Sequence, residues 1–364
     1  MNRSERDRLH VVLLAHSRHP IAQPFAGGLE AVTWHLVTGL RARGARVTVF
    51  AGEGSDPSLG AEILPVPRLE LSADARSDVS MPPEQFMREH HAYLSVMLDL
   101  ARRDDVDIVH NNSLHHLPVA MAGALPMPLL TTLHTPPTPW LESAIATLGR
   151  HRDAASFVAV SHRTAAQWAH VTHARVVHNG IDTTSWAAGP GGEGLVWFGR
   201  IVPEKAPHLA IRIAREAGRR IRLAGPISDP TYFYDEVRPL LDDRAEYVGH
   251  LEHDDLAELV GHSLAAVVTP AWDEPYGLVA AEALSCGTPV VGFARGGLPE
   301  VIDASSGRLA RAGDVAGAAR LVDEVARLDR ADARRRAVTA CSVDRMVEDY
   351  LRVYDTLRTL RPAA

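Results

Sequence analysis

Short, mostly apolar runs set between helix-length stretches limit the folds open to this chain more than any other feature. They lie at residues 11–15, 46–50, 106–110, 129–133, 156–160 and 175–178, with a weaker one at 63–66. They resume at 195–199, 221–225, 247–249, 265–269 and 290–293. Strands apolar on both faces need cover on both, as in a parallel sheet with helices on each side. The first helical stretch opens at Gly27-Gly28, closes at Gly44 and joins two such runs, so strand, helix and strand form one unit that crosses over right-handed. Repeated along the chain, this alternation predicts an α/β protein of two doubly wound, Rossmann-like parallel-sheet domains. The length of 364 residues also calls for two domains. Asn179-Gly180-Ile181-Asp182 breaks the pattern, and the Gly-rich residues 187–194 read as a flexible linker. The expected division is a first domain at 1–182, a linker at 183–194 and a second domain at 195–342, with a cleft between the carboxyl ends of the two sheets.

Composition excludes several classes. With 46% hydrophobic and 23% charged residues, the chain can build full cores. A net charge of −7, with no Lys/Arg run interleaved with aromatics, argues against nucleic acid as a partner. Two cysteines, Cys286 and Cys341, rule out a disulfide scaffold and suit a reducing, cytoplasmic setting. The charged residues 1–8 lead into an apolar run too short for a signal peptide or a membrane span. The Arg-rich stretch 211–222 could touch an anionic membrane, although a solvated face is the simpler reading. Monomer and homodimer both remain open.

Residues 273–291 concentrate the chemistry. Two carboxylates, Glu274 and Glu282, flank Pro275 to Ala281, and a short helix starting at Gly277 ends at Gly287-Thr288-Pro289. Glu274 falls on the loop at a strand's carboxyl end, where open α/β sheets bind ligands. Glu282 falls inside an Ala/Leu/Val helix, so its carboxylate is expected to be buried and to need a hydrogen-bond donor. That donor is either a structural salt-bridge partner or a polyol held beside a helix N-terminus that favours phosphate. Arg200 and Lys205 stand five residues apart, at a strand end and before a helix opened by Pro207. They are either solvated charges, with Glu204 as partner, or a grip on a diphosphate from two sides. Gly27-Gly28 would let backbone approach a ligand, though many such turns carry glycine for tightness alone. Of 19 histidines most must be ordinary; His110, His115 and His116 gather near strand ends, yet lack a ligand spacing with a carboxylate, so no metal is expected.

The stretch Glu274-Pro-Tyr-Gly-Leu-Val-Ala-Ala-Glu282-Ala-Leu-Ser-Cys-Gly-Thr-Pro-Val-Val, with Gly199-Arg200 and Glu204-Lys205, resembles the retaining glycosyltransferases of the GT-B fold, family 4 in particular. The resemblance covers the whole second domain and scattered points of the first. It implies that Glu274 meets the donor sugar's hydroxyls and Glu282 the ribose hydroxyls, while Arg200 and Lys205 stabilise the leaving diphosphate. Backbone at Gly199, Tyr276, Gly277, Leu278 and Val279 would face sugar and phosphate, and Gly249-His250 the base. Gly27 and Gly28 would meet the donor phosphate, and His134 the donor sugar near its C6 side; His16 would lie toward the acceptor. Where this family usually has glycine, Ala206 stands. The closing segment, residues 343–364 with Met346, Tyr350, Val353 and Leu357 on one stripe, would cross back onto the first domain. The implied donor is a nucleotide diphosphate hexose, UDP-linked before GDP-linked, with no other cofactor. The implied acceptor is a small molecule, saccharide or lipid. The alternatives are a sugar-nucleotide epimerase or hydrolase on the same scaffold and a non-catalytic nucleotide-binding partner subunit.

Overall fold

The computed structural model describes residues 8–359. The charged leader before Arg8 and the expected helical residues from Leu360 onward lie outside the described residues. The chain forms two compact units. One comprises the residues up to Val160, 164–177 and those from Val347; the other comprises 161–163 and 178–346.

The first unit is built on seven parallel strands: β1 (His10–Leu14), β2 (Arg46–Ala51), β3 (Ala61–Ile63), β4 (Ile108–Asn111), β5 (Leu129–Leu133), β6 (Ala155–Ala159) and β7 (Ala174–Val176). Their order is β3-β2-β1-β4-β5-β6-β7. β1 lies inside the sheet between β2 and β4, and Val11 to Leu14 are wholly buried. Each such side chain contributes about 1.5–3 kcal/mol by leaving water. Helices α1 (Gly28–Ala42), α2 (Glu84–Leu100) and α3 (Pro139–Thr147) belong to this unit. So does the closing helix Val343–Thr359 from Val347 on, whose Tyr350 and Tyr354 are buried. His110 bridges Tyr354 Oη and Thr132 Oγ1, each at 2.7 Å, and Thr132 meets Tyr350 Oη at 3.0 Å. Burial pushes His110 down to about 3, so this imidazole is neutral and occupied in packing. β3 is offset from the expected 63–66 because it is an edge strand; Ile63 is 64% exposed and no buried face fixes its register.

The second unit has six parallel strands: β8 (Leu195–Phe198), β9 (Ile221–Ala224), β10 (Ala245–Gly249), β11 (Ala265–Val268), β12 (Val290–Phe293) and β13 (Gly307–Ala310), in the order β10-β9-β8-β11-β12-β13. Helices α4 (Pro207–Glu216) and α5 (Leu278–Ser285) flank the strands that matter below. β13 was not anticipated: Gly307-Arg308-Leu309-Ala310 is an edge strand with no apolar run. The Gly-rich residues 187–194 correct a second expectation, because they are not a free tether. Gly189 N donates to Cys286 O (3.0 Å), and Gly191 N to Gly261 O (2.9 Å). A Cβ on Gly192 would sit 2.2 Å from the His262 carbonyl oxygen, so this glycine serves close backbone approach rather than flexibility.

In both sheets the strand order reverses once. The chain runs outward from β1 through β2 to β3 and resumes at β4 on β1's other side; β8, β9, β10 and β11 repeat the pattern. Crevices outside the carboxyl ends of β1/β4 and β8/β11 are therefore where ligands bind in sheets of this kind.

Candidate active site

The β8/β11 switch of the second unit assembles most of the residues singled out above. β8 ends at Phe198 and the chain turns at Gly199, whose φ of +143° suits only glycine well. A Cβ on Gly225 would lie 1.9 Å from the Gly199 carbonyl oxygen, and Gly225 N donates to Gly249 O at 2.8 Å. The ends of β8, β9 and β10 thus lie side by side as bare backbone. Downstream, Thr269 Oγ1 at the end of β11 donates to the carbonyls of Lys205 (3.3 Å) and Ala206 (3.0 Å), and Ala271 N donates to Glu204 O (2.8 Å). The Lys205 loop is thereby stitched to the loop carrying Glu274. Ala206 precedes α4 with φ +47°, a left-handed conformation costing a non-glycine residue about 1–2 kcal/mol. Alanine here holds the backbone shape that glycine would take without strain.

Lys205 Nζ and the Glu274 carboxylate form an ion pair, with Glu274 only 7% exposed. Gly296-Gly297 holds the Glu274 backbone: Gly297 N donates to Glu274 O at 2.7 Å, and a Cβ on Gly296 would fall 2.1 Å from that oxygen. A void of about 10 Å³, about one water in size, lies at the pair between Trp197, Phe198, Val267 and Val279. Burial draws the Lys205 ammonium down to about 8; Arg200 adds to the fall, while Glu204 and Glu282 oppose it. The direct contact with Glu274 also favours the charged form.

Glu282 departs from expectation. Its residue is half-buried, and among the described residues its carboxylate has no hydrogen-bond or ion-pair partner. Burial pushes it up to about 7, with Lys205 pulling the other way. With no protein donor at its carboxylate, the structural salt bridge is excluded among the described residues. Its helix α5 is preceded by Gly277, φ +109°, with no side-chain cap, and the amides of Leu278 and Val279 meet no acceptor among the described residues.

The remaining residues divide. Arg200 is half exposed and 3.9 Å from Glu204, an exposed pair worth at most about 1 kcal/mol. It acts on Lys205 through its charge alone. His250 is exposed. The Tyr276 side chain is turned away from the pair: it is buried, 5.6 Å from the His178 ring, and bonded to Cys341. Only its backbone can serve a ligand beside Glu274. In the first unit, His134 Nε2 meets Asn112 Oδ1 at 2.6 Å and burial takes the ring down to about 3, so neutral His134 donates there and keeps Nδ1 as an acceptor. His16 Nδ1 accepts from Arg18 N (3.1 Å), and burial draws this ring to about 4. Gly27 is the extended residue before α1, and a Cβ on it would lie 3.2 Å from Glu30 Oε2, so a buried acid already lies at that helix mouth. Sequence reasoning missed Thr269, which positions Lys205, and Asp273, which takes Arg163 Nε (3.1 Å) and Arg295 Nε (3.2 Å). The Asp273-Glu274 doublet was the available signal. Among the described residues no group of three or more His, Cys, Asp or Glu is placed to hold a metal ion.

One pH prediction follows. A phosphate held by Lys205 would require its ammonium form, and hydroxyls held by Glu282 its carboxylate. Affinity for a nucleoside diphosphate should fall as pH drops through about 7 and again as it rises through about 8. Calorimetric titration with UDP from pH 5.5 to 9.5 checks this, and a flat profile would contradict it.

A model described as Glycosyltransferase Family 4 matches residues 26–185, and one described as Glycosyl transferases group 1 matches residues 187–340. Glycogen synthase of Mycobacterium tuberculosis (strain ATCC 25618 / H37Rv) is 31% identical over 356 residues, covering 86% of each chain. The chain belongs to the family 4 glycosyltransferases. As a member of that family it is also similar to the D-inositol 3-phosphate glycosyltransferase of Mycobacterium marinum, at 29% identity over 84% of this chain and 75% of the relative. Among solved structures, that of Anabaena HepE in complex with UDP and glucose aligns over 96% of this glycosyltransferase and 100% of its own chain, with a TM-score of 0.71 at 16% identity. The fold is GT-B. No helix among the described residues is long and apolar enough to cross a membrane.

Proposed function

We propose that this glycosyltransferase moves a hexose from a nucleotide diphosphate sugar, UDP-linked before GDP-linked, to a small-molecule, saccharide or glycolipid acceptor, with retention at the anomeric carbon. The observation that carries the reading is the meeting of Lys205, Glu274 and partnerless Glu282 at the β8/β11 switch. Glu282 accepts from the ribose hydroxyls, which replace the water its carboxylate would otherwise need. Lys205 turns to the diphosphate, and Glu274, released from the ion pair, accepts from the sugar hydroxyls. The free amides at the start of α5 and the charge of Arg200 add to the field that favours the departing diphosphate.

In the chemical step the bond between the anomeric carbon and the phosphate oxygen breaks, and the electron pair leaves with the diphosphate. The acceptor oxygen bonds to the same face of that carbon, and its proton passes to the departing phosphate oxygen. Cys286 does not serve as the nucleophile, since it is buried and its thiol is pushed up to about 12. The domain at 1–182 would supply the acceptor side and that at 195–342 the donor side. Titrating UDP- and GDP-hexoses by calorimetry, then measuring released nucleotide with and without saccharide acceptors, tests the proposal. Acceptor-dependent release supports it. Turnover of the sugar nucleotide without any acceptor would indicate an epimerase or hydrolase, and binding without turnover a partner subunit.

A further inference from the structure

Asp273, the residue before Glu274, is held from two sides. Arg163 donates to its Oδ2 from Nε (3.1 Å) and from Nη2, and Arg295 Nε donates to its Oδ1 at 3.2 Å, so both carboxylate oxygens are engaged. Hydrogen bonds from Arg163 and then Arg295 hold the Asp273 carboxyl below the usual carboxylate range, and it stays ionised. Arg163 is itself fixed. Its amide and that of His162 donate to the Glu300 carboxylate at 2.9 and 2.8 Å, and His178 Nε2 meets the same carboxylate at 2.9 Å. Arg336 holds the Glu300 backbone in turn, with Nη2 donating to the Glu300 carbonyl at 2.7 Å and Nε to that of Val301 at 3.0 Å. Residues 161–163 belong to the second unit, as Glu274 does, and the chain returns to the first unit at Thr164.

Ion pairs this exposed add little to stability: the Arg163 side chain is 51% exposed and that of Asp273 26%. What they constrain is direction. A carboxylate gripped on both oxygens cannot turn without breaking both grips, and its backbone runs straight into Glu274. In the transferase reading the diphosphate takes Lys205, so Glu274 loses that ion pair at the moment its carboxylate has to meet the sugar hydroxyls. The backbone on either side is then what holds it, through Asp273 before it and through Gly297 N on its own carbonyl. Arg295 opens the loop that carries Gly297, so one of the two grips on Asp273 comes with that loop and the other, Arg163, comes from elsewhere in the chain. A misplacement of about 1 Å at a reacting group can cost about a hundredfold in rate.

We propose that Arg163 is a positioning residue for sugar transfer, holding Glu274 toward the donor sugar through Asp273. The proposal rests on the transferase reading and adds a residue that touches neither nucleotide nor sugar. The test compares the full-length parent with Arg163→Ala, Asp273→Asn and the double variant. Nucleotide release at saturating donor is measured with the UDP- or GDP-hexose and saccharide acceptor that the parent turns over fastest, beside calorimetric titration with the matching UDP or GDP. Each single variant is expected to slow release at least about tenfold while keeping nucleotide affinity within about twofold, since Lys205 and Glu282 are untouched. The double variant should be no slower than the slower single one, because both changes cut one link. A parent with no acceptor-dependent release would sink the transferase reading itself. If the parent transfers, the positioning role is overturned by either variant working at the parent's rate. Nucleotide affinity falling in step with the rate, or a double variant that multiplies the two losses, would overturn it as well.

Discussion

A Lys205→Ala enzyme should release nucleotide about a hundred- to a thousandfold more slowly at saturating donor, while still binding uridine. That is the typical cost of removing one preorganised charge from a developing anion. The same change leaves Glu274, 7% exposed, without its ion-pair partner. Breaking a buried pair on one side typically costs about 3–5 kcal/mol, so thermal stability should fall as well. The double variant Lys205→Ala with Glu274→Ala should recover much of the stability and none of the transfer, because the orphaned carboxylate is gone and the phosphate ligand is still missing. Steady-state nucleotide release and melting temperature, measured on parent and both variants, check both halves. Unchanged turnover in the single variant would remove Lys205 from the chemistry.

Glu282→Gln should behave in the opposite way. UDP affinity is expected to drop about ten- to a hundredfold, since each lost charge-assisted bond to a ribose hydroxyl is worth about 1.5–3 kcal/mol. Stability should hold or rise, by about 2–4 °C per kcal/mol recovered, because the parent buries part of a carboxylate without a protein partner. A group that weakens the free protein while serving a ligand is the pattern expected of a binding residue. Calorimetry with UDP and thermal melts decide the matter. A clear fall in melting temperature with unchanged UDP affinity would restore the structural role.

Local signals made the frame legible. β5 and β12 fall on the expected residues because their apolar runs are bounded sharply, by Pro128 and His134 and by Pro289 and Ala294. β13 was not legible, since an edge strand packed by β12 needs no apolar run of its own. Glycines were read in two ways and only one held: Gly199 and Gly277 do mark turns with positive φ, whereas Gly189 and Gly192 exist because another backbone passes within contact. The helix around Glu282 was read correctly, but its Ala/Leu composition could not show that Glu282 lies within the field of Lys205. Nor could sequence show that Lys205 meets Glu274, or that His116 stacks on Trp140, because those contacts depend on strand order and helix placement. The family resemblance supplied roles for single residues, and the switch point of the second unit's sheet supplies the reason Lys205 and Glu274 meet.

The most direct measurement is a crystal structure of the enzyme with UDP. The account predicts uridine at the carboxyl ends of β8 and β11, with both ribose hydroxyls on the Glu282 carboxylate. The diphosphate should lie within hydrogen-bond distance of Lys205 Nζ and the Leu278 and Val279 amides, and the Lys205–Glu274 pair should be opened. UDP bound elsewhere, or bound with that ion pair intact and Glu282 untouched, would contradict it.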